Sequence, residues 1–437
     1  MSKGRGTACR LLALMLAISG VCAAAEIDYE LGLSGTHSSN IALAEEAETS
    51  DTILAPRLRF AVAQQGSALA LQARGLVEHR EYLDDTFPRE WRGELAGKAE
   101  WTIAPDRFSL VLEDYLSHQP VDIDSGLSPG NLQRVNVFIA GPTFQTRFNQ
   151  ATRAQLDLRA AKSYAEVSEE FNGDRLSAAA RLQRETGPLG HVALNLVASE
   201  VEFDVPGQVA DYSRTDAYAS YRRELAYGSI ELDLGRSWVD PERGGDNVSA
   251  TLARAGIIWV PTGRSRFDLQ ARYQLADSAQ ELIIRQIDLS EPAIQELFAS
   301  TLDVNADVHR QRRLQLDYRF RGERLELRLR PRYRSYRYLQ STTRDREDVG
   351  GYAELAWRVR PRTTLALHAT ALNREFMTTG REDRDRIYGI RAEHRWTRQL
   401  TTQVGFHRNT RNSTTPGFNY GENVATITFL WARNNGR

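Results

Sequence analysis

The segment LELRLRPRYRSYRY (325–338) sets leucine at every second position of its first half, with a charged side chain at each position between. Successive side chains of a strand point to opposite faces. Leu325, Leu327 and Leu329 therefore share one face, and Glu326, Arg328, Arg330, Arg332 and Arg334 share the other. One face needs an apolar medium and the other needs water. The same period returns in IDYELGL (27–33), RFSLVL (107–112), AQLDLRA (154–160), SIELDLG (229–235), RFDLQARYQL (266–275), RLQLDYRF (313–320), TLALHATAL (364–372) and IYGIRAEHRW (387–396). Segments of about ten alternating residues in series, separated by turns, mark a transmembrane β-barrel. Lipid offers no partner for a backbone N–H or C=O, so a spanning sheet must close.

The links between these segments alternate in length. Short turns fall at 65–66, 104–106, 149–151, 187–190, 225–227, 261–264, 321–324, 360–363 and 397–399, with longer polar links between them at 36–51, 118–133, 166–174, 239–247, 277–307, 338–348 and 409–421. Outer-membrane barrels have short periplasmic turns and long external loops. The sequence thus predicts an all-β, antiparallel up-and-down barrel of about twenty strands (roughly 18–22) with both ends periplasmic. Tryptophan placement agrees. Trp101, Trp259, Trp357, Trp396 and Trp431 sit at short turns or near the C-terminus, and Trp91 and Trp238 lie beside long links. That is the arrangement of two aromatic girdles at the membrane interfaces. A barrel this wide is not filled by its own side chains, so the charged faces line water. Pro331 lacks an N–H in a structure without edges, and a bulge is expected there.

Composition narrows the class further. The chain has 437 residues, with 56 basic against 57 acidic residues and a formal charge of −1. That balance excludes the basic excess of a nucleic-acid binder. Mean hydropathy is −0.48, and no apolar run after residue 25 is long enough for a spanning helix. Lys3, Arg5 and Arg10, the apolar run LLALMLAISGV (11–21) and the small residues of CAAA (22–25) read as a signal peptide over 1–25, cleaved after Ala25. The barrel then occupies 26–437. A lipidated Cys22 fits less well, because SGVC lacks the usual preceding leucine and small residue. Both cysteines, Cys9 and Cys22, fall inside the signal, which leaves the mature chain without disulfide or thiol chemistry.

Alternation extends the charged face to neighbouring strands: Gln315, Asp317 and Arg319 on one side, Tyr352, Glu354 and Arg358 on the other, and Asp268, Gln270 and Arg272 beyond. Two readings stay open. Arginine offers planar, multi-donor contacts to an anionic or sugar-like solute, or it pairs with Asp and Glu across strands to keep the lumen polar. In the longest link, SEPAIQELFASTL (290–302) reads as a helix with Ser290 at its N-cap and Ile294, Leu297 and Phe298 on one face. It is either a constriction folded into the mouth or an external helix packed on its neighbours. The eight histidines are scattered without HExxH spacing, and there is no GxSxG or phosphate loop. No enzyme activity, metal or cofactor is expected. Acidic pairs such as Glu45–Glu46 and Glu169–Glu170 fit solvated loops or cation bridges to lipopolysaccharide.

Three segments carry a resemblance: GTHSSNIAL (35–43), NVFIAGPTF (136–144) and RNSTTPGFNYGENVATITFLW (411–431). Across the mature chain they resemble the outer-membrane β-barrel porins associated with exopolysaccharide and PEP-CTERM gene clusters. The matching positions are Asn40, Asn136, Gly141, Pro142, Pro416 and Asn423, and they read as turn and strand-packing positions. Many barrels end on an aromatic residue, whereas ARNNGR follows Trp431 here. The resemblance implies a bacterial outer-membrane barrel that passes polysaccharide outward, with a non-conducting scaffold or surface receptor of an export complex as the alternative. The partners expected are membrane lipid and lipopolysaccharide, the barrel-assembly machinery, polysaccharide and periplasmic export proteins.

Overall fold

The computed structural model describes residues 25–205, 211–242, 246–286 and 302–433. Among the described residues twenty strands form one antiparallel sheet, from β1 (Glu26–Ser38) to β20 (Tyr420–Arg433). Each strand pairs with the next in the chain. The sheet closes where β1 meets β20, from Tyr29↔Arg433 to Ser38↔Val424. This is the closed barrel of a bacterial outer-membrane protein. Its outer face carries exposed apolar residues such as Leu31, Leu112, Leu194, Leu234, Leu367 and Phe429, which only a bilayer accommodates. Among the described residues no helix is long and apolar enough to cross a membrane.

All nine short turns fall where the sequence places them. All but the longest of the expected external links are shorter than the sequence pattern gives, because the strands are longer, from 12 residues in β13 (Ser265–Ala276) to 16 in β6 (Leu132–Arg147). The added residues are polar rim positions, such as Thr36–Ser38 and Arg346–Asp348, that still pair with their neighbours. Three further external links, 83–89, 204–211 and 377–381, complete the alternation.

The expected bulge at Pro331 is absent. Along β15 (Leu325–Tyr338) the register runs unbroken past Pro331↔Gly351 on β16 (Arg346–Arg360). On the other side, pairing with β14 (His309–Arg321) lapses between Gln315↔Arg332 and Tyr318↔Leu329 and resumes in the same register. Pro56 and Pro142 lie in identical gaps. Each proline removes pairing with one neighbour only, so no extra residue is needed. Register shifts appear instead at Thr102/Ala104, Glu185/Gly187, Trp259/Thr262 and Arg358/Arg360, beside short turns.

The positions of the family resemblance pack as turns and strand contacts. Asn40 is fully buried and donates to the carbonyls of Ala44 and Gly421. Asn136 donates to Asp114, 2.6 Å away. A Cβ on Gly141 would lie 1.9 Å from the Leu158 carbonyl oxygen, an approach only glycine permits.

Candidate functional site: the charged lumen and its covered mouth

Leu325 and Leu329 are exposed on the outer face of β15, while Arg328, Arg332 and Arg334 are buried on the inner one. The ladder is therefore split as its alternation requires. At its centre Asp317 of β14 accepts from three guanidiniums: Arg319 at 3.2 Å, Arg328 at 3.0 Å and Arg330 at 2.8 Å. A carboxylate offers about four lone-pair sites, so Asp317 can accept from all three at once, with Asp268 paired opposite it on β13. Beside it Glu354 accepts from Arg391 of β18 (Glu382–Arg395) at 3.0 Å and from the Tyr352 hydroxyl at 2.8 Å. Towards the external end, cross-strand register aligns Arg254, Arg272, Arg313, Arg334, Asp348 and Arg374 in one band. Glu326, bonded to Arg321 at 3.2 Å, and the exposed Arg358 sit at the short-turn rim. Both readings of the ladder thus have material: ion pairs hold the arginines, and arginines outnumber their acids.

The tryptophans lie at the two rims. Trp101, Trp259, Trp357 and Trp396 are exposed at the short-turn end, where Trp431 packs 5.7 Å from Tyr29. Trp259, Phe267 and Tyr318 stack across three strands at 5.1 and 4.5 Å. Trp91, 71% exposed, and Trp238 mark the opposite rim.

Two links turn inward over the lumen. The first leaves β13 and forms helix α1 (Ser278–Gln286), capped by Asp277, whose Oδ1 accepts from the Gln280 N–H at 3.0 Å. Leu282 of α1, with Leu302 and Val304, packs on the inner residues Val135 and Val137 of β6 and on Ala165 and Phe171. Arg175 lies 2.9 Å from Asp277, and Arg214 donates to Gln280 at 2.9 Å and to the Leu275 carbonyl at 3.0 Å. Burial alone would raise the Asp277 carboxyl, but Arg175, the Gln280 N–H and Arg214 outweigh it and hold it below the usual range. A cavity of about 260 Å³ remains between α1 and the wall, lined by Val137, Ile139, Val197, Tyr212 and Ile283. The expected helix with Ile294, Leu297 and Phe298 lies outside the described residues.

The second inward link, 121–131, lies inside the polar link 118–133 of the sequence pattern. It leaves β5 (Phe108–Pro120) and reaches the far wall. There Arg374 of β17 (Thr363–Phe376) donates to the Ile123 carbonyl at 3.1 Å, and Arg381 and Arg411 donate to the Asp124 carbonyl at 2.7 and 3.1 Å. Arg411 belongs to β19 (Leu400–Ser413). The link offers these arginines backbone oxygens, which carry no residue-type signal. Among the described residues no cluster of three or more His, Cys, Asp or Glu could hold a metal ion.

No protein-family model matches the chain, and no curated protein matches it. Among solved structures the chain is similar to a mutant of the ferric enterobactin receptor PfeA from Pseudomonas aeruginosa, at 9% identity and TM-score 0.48, over 93% of this chain and 80% of that one. It is similar to the FrpB iron transporter of Neisseria meningitidis at 8% identity and TM-score 0.46, over 95% and 82%. It is also similar to OccK2 (OpdF) of Pseudomonas aeruginosa at 9% identity and TM-score 0.39, over 94% and 98%.

Proposed function

We propose that the barrel is a porin-like, charge-lined aqueous passage through the outer membrane, serving the export of an anionic exopolysaccharide. The observation that carries this reading is the inner arginine ladder around Asp317, where three guanidiniums share one carboxylate. Such a wall attracts anions and presents planar donors to carboxylates. The polysaccharide itself is drawn from the resemblance at Asn40, Asn136, Gly141, Pro142, Pro416 and Asn423. The reading assigns the chain no reaction.

The inward loops favour a second reading, a non-conducting barrel that acts as scaffold or surface receptor for an export complex. Single-channel conductance of the refolded mature chain in planar bilayers separates the two. Under the passage reading the barrel conducts once 280–302 is deleted, and replacing Arg328, Arg330, Arg332 and Arg334 with Gln shifts selectivity towards cations. Silence in every variant leaves the scaffold.

A further inference from the structure

The link 121–131 is tied to itself more firmly than to the wall it reaches. The Asn131 side-chain amide donates to the carbonyls of Asp122 and Gly126 at 2.7 and 2.8 Å, and its oxygen accepts from the Asp122 N–H at 2.9 Å. Ser125 closes on the Asp122 carboxylate at 2.6 Å, and Val121 bonds to Asn131 through the backbone. The loop is therefore a preformed unit, anchored where the chain enters and leaves it. Its polar hold on the far wall consists of the three arginines above. They are built in place: Arg381 is fixed by Asp383 at 2.9 and 2.7 Å with its guanidinium 3.6 Å above the Phe418 ring, and Arg411 is fixed by Asp385 at 2.6 and 3.2 Å. Arg374 lies 3.6 Å from Asp348. The loop's hydrogen bonds to these guanidiniums are made by neutral carbonyl oxygens, and the Asp124 carboxyl adds only its charge. An ionised acceptor makes a hydrogen bond roughly twice as strong as a neutral one.

These arginines also stand at the top of the charged wall. The cross-strand band from Arg254 through Arg334 ends at Arg374, next to Asp383 on β18. We propose that Arg374, Arg381 and Arg411 form an anion site covered by a lid, residues 121–131, and that a carboxylated polymer ascending the lumen takes these guanidiniums and releases the lid. The inference rests on the passage reading for its ligand, but the lid is measured without conductance.

The test uses a nitroxide spin label on the mature chain carrying Ser128→Cys, at a side chain that makes no cap hydrogen bond, which adds the sole thiol to a sequence whose cysteines lie at positions 9 and 22. Oligogalacturonate is added to the refolded barrel, with dextran of equal length as the neutral control. Release shifts the spectrum from its immobilised to its mobile component with oligogalacturonate and leaves it unchanged with dextran. The combined variant Arg374→Gln, Arg381→Gln and Arg411→Gln gives the mobile spectrum without added sugar. An equal response to both sugars, or none to either, overturns the proposal; the wild-type arm stands even where the triple variant fails to fold. A released lid in a barrel that never conducts would leave this inference standing and remove the passage.

Discussion

At the scale of single residues, close backbone approach and shared charge give the clearest expectations. Gly141→Ala forces a methyl against the Leu158 carbonyl and should destabilise the pairing of β6 with β7 (Thr152–Ala165) by about 1–3 kcal/mol, as overpacking does. Gly263→Ala, with nothing within 4 Å, should be near neutral. Urea midpoints of the refolded barrels, followed by heat-modifiable migration in gels, compare the two, and equal midpoints would refute the steric account. Asp317→Asn removes the negative charge that Arg319, Arg328 and Arg330 share. The wall then becomes more positive, and the reversal potential across a salt gradient should move towards anions. The direction of these side chains was legible in the sequence because strand alternation is a local rule. The sharing of one Asp among three arginines was not, since register and rotamer decide it.

At the scale of elements, the two inward links respond to pH with opposite sign. Asp277 is held below the usual carboxylate range, so the stability it lends the α1 anchorage is present above its unfolded value and is lost as pH falls through its folded one. Hydrogen exchange over 277–286 should stay protected through mild acid and open only in stronger acid, whereas Asp277→Asn should open it at neutral pH. In the lid, burial and the neighbouring Asp122 push Asp124 up, with Arg381, Arg374 and Arg346 opposing. Its favourable contribution is therefore present below its unfolded value and fades as pH rises through its folded one. Spin labels at Ser128→Cys should become less mobile on mild acidification, and Asp124→Asn should abolish that response while keeping the backbone carbonyl. The turns beneath these links were readable because Gly, Asn, Asp and Pro act locally. The lid was not readable, because Arg374 and Ile123 stand 251 residues apart and any residue type could supply the carbonyl.

At the scale of the whole molecule, the alternation of short and long links gave the two rims of the barrel, and the tryptophans lie at those rims. What the strand count left open was the state of the mouth, because a loop that hangs outward and one that folds inward share the same composition. Two coverings imply a graded opening. Conductance should rise modestly when 121–131 alone is shortened to a Gly-Ser turn, and in full only when 280–302 is removed as well. A full rise from either deletion alone would contradict the double cover. The seam between β1 and β20 has a different consequence. Every other ladder joins strands consecutive in the chain, and the longest link any of them closes is 277–308. The entropy of long-range closure, which grows slowly with loop length, is concentrated in the single meeting of Tyr29–Ser38 with Val424–Arg433. Assembly of this barrel is thereby a succession of hairpins ending in one search, and a factor that merely holds the first strand open until the last arrives would set its rate.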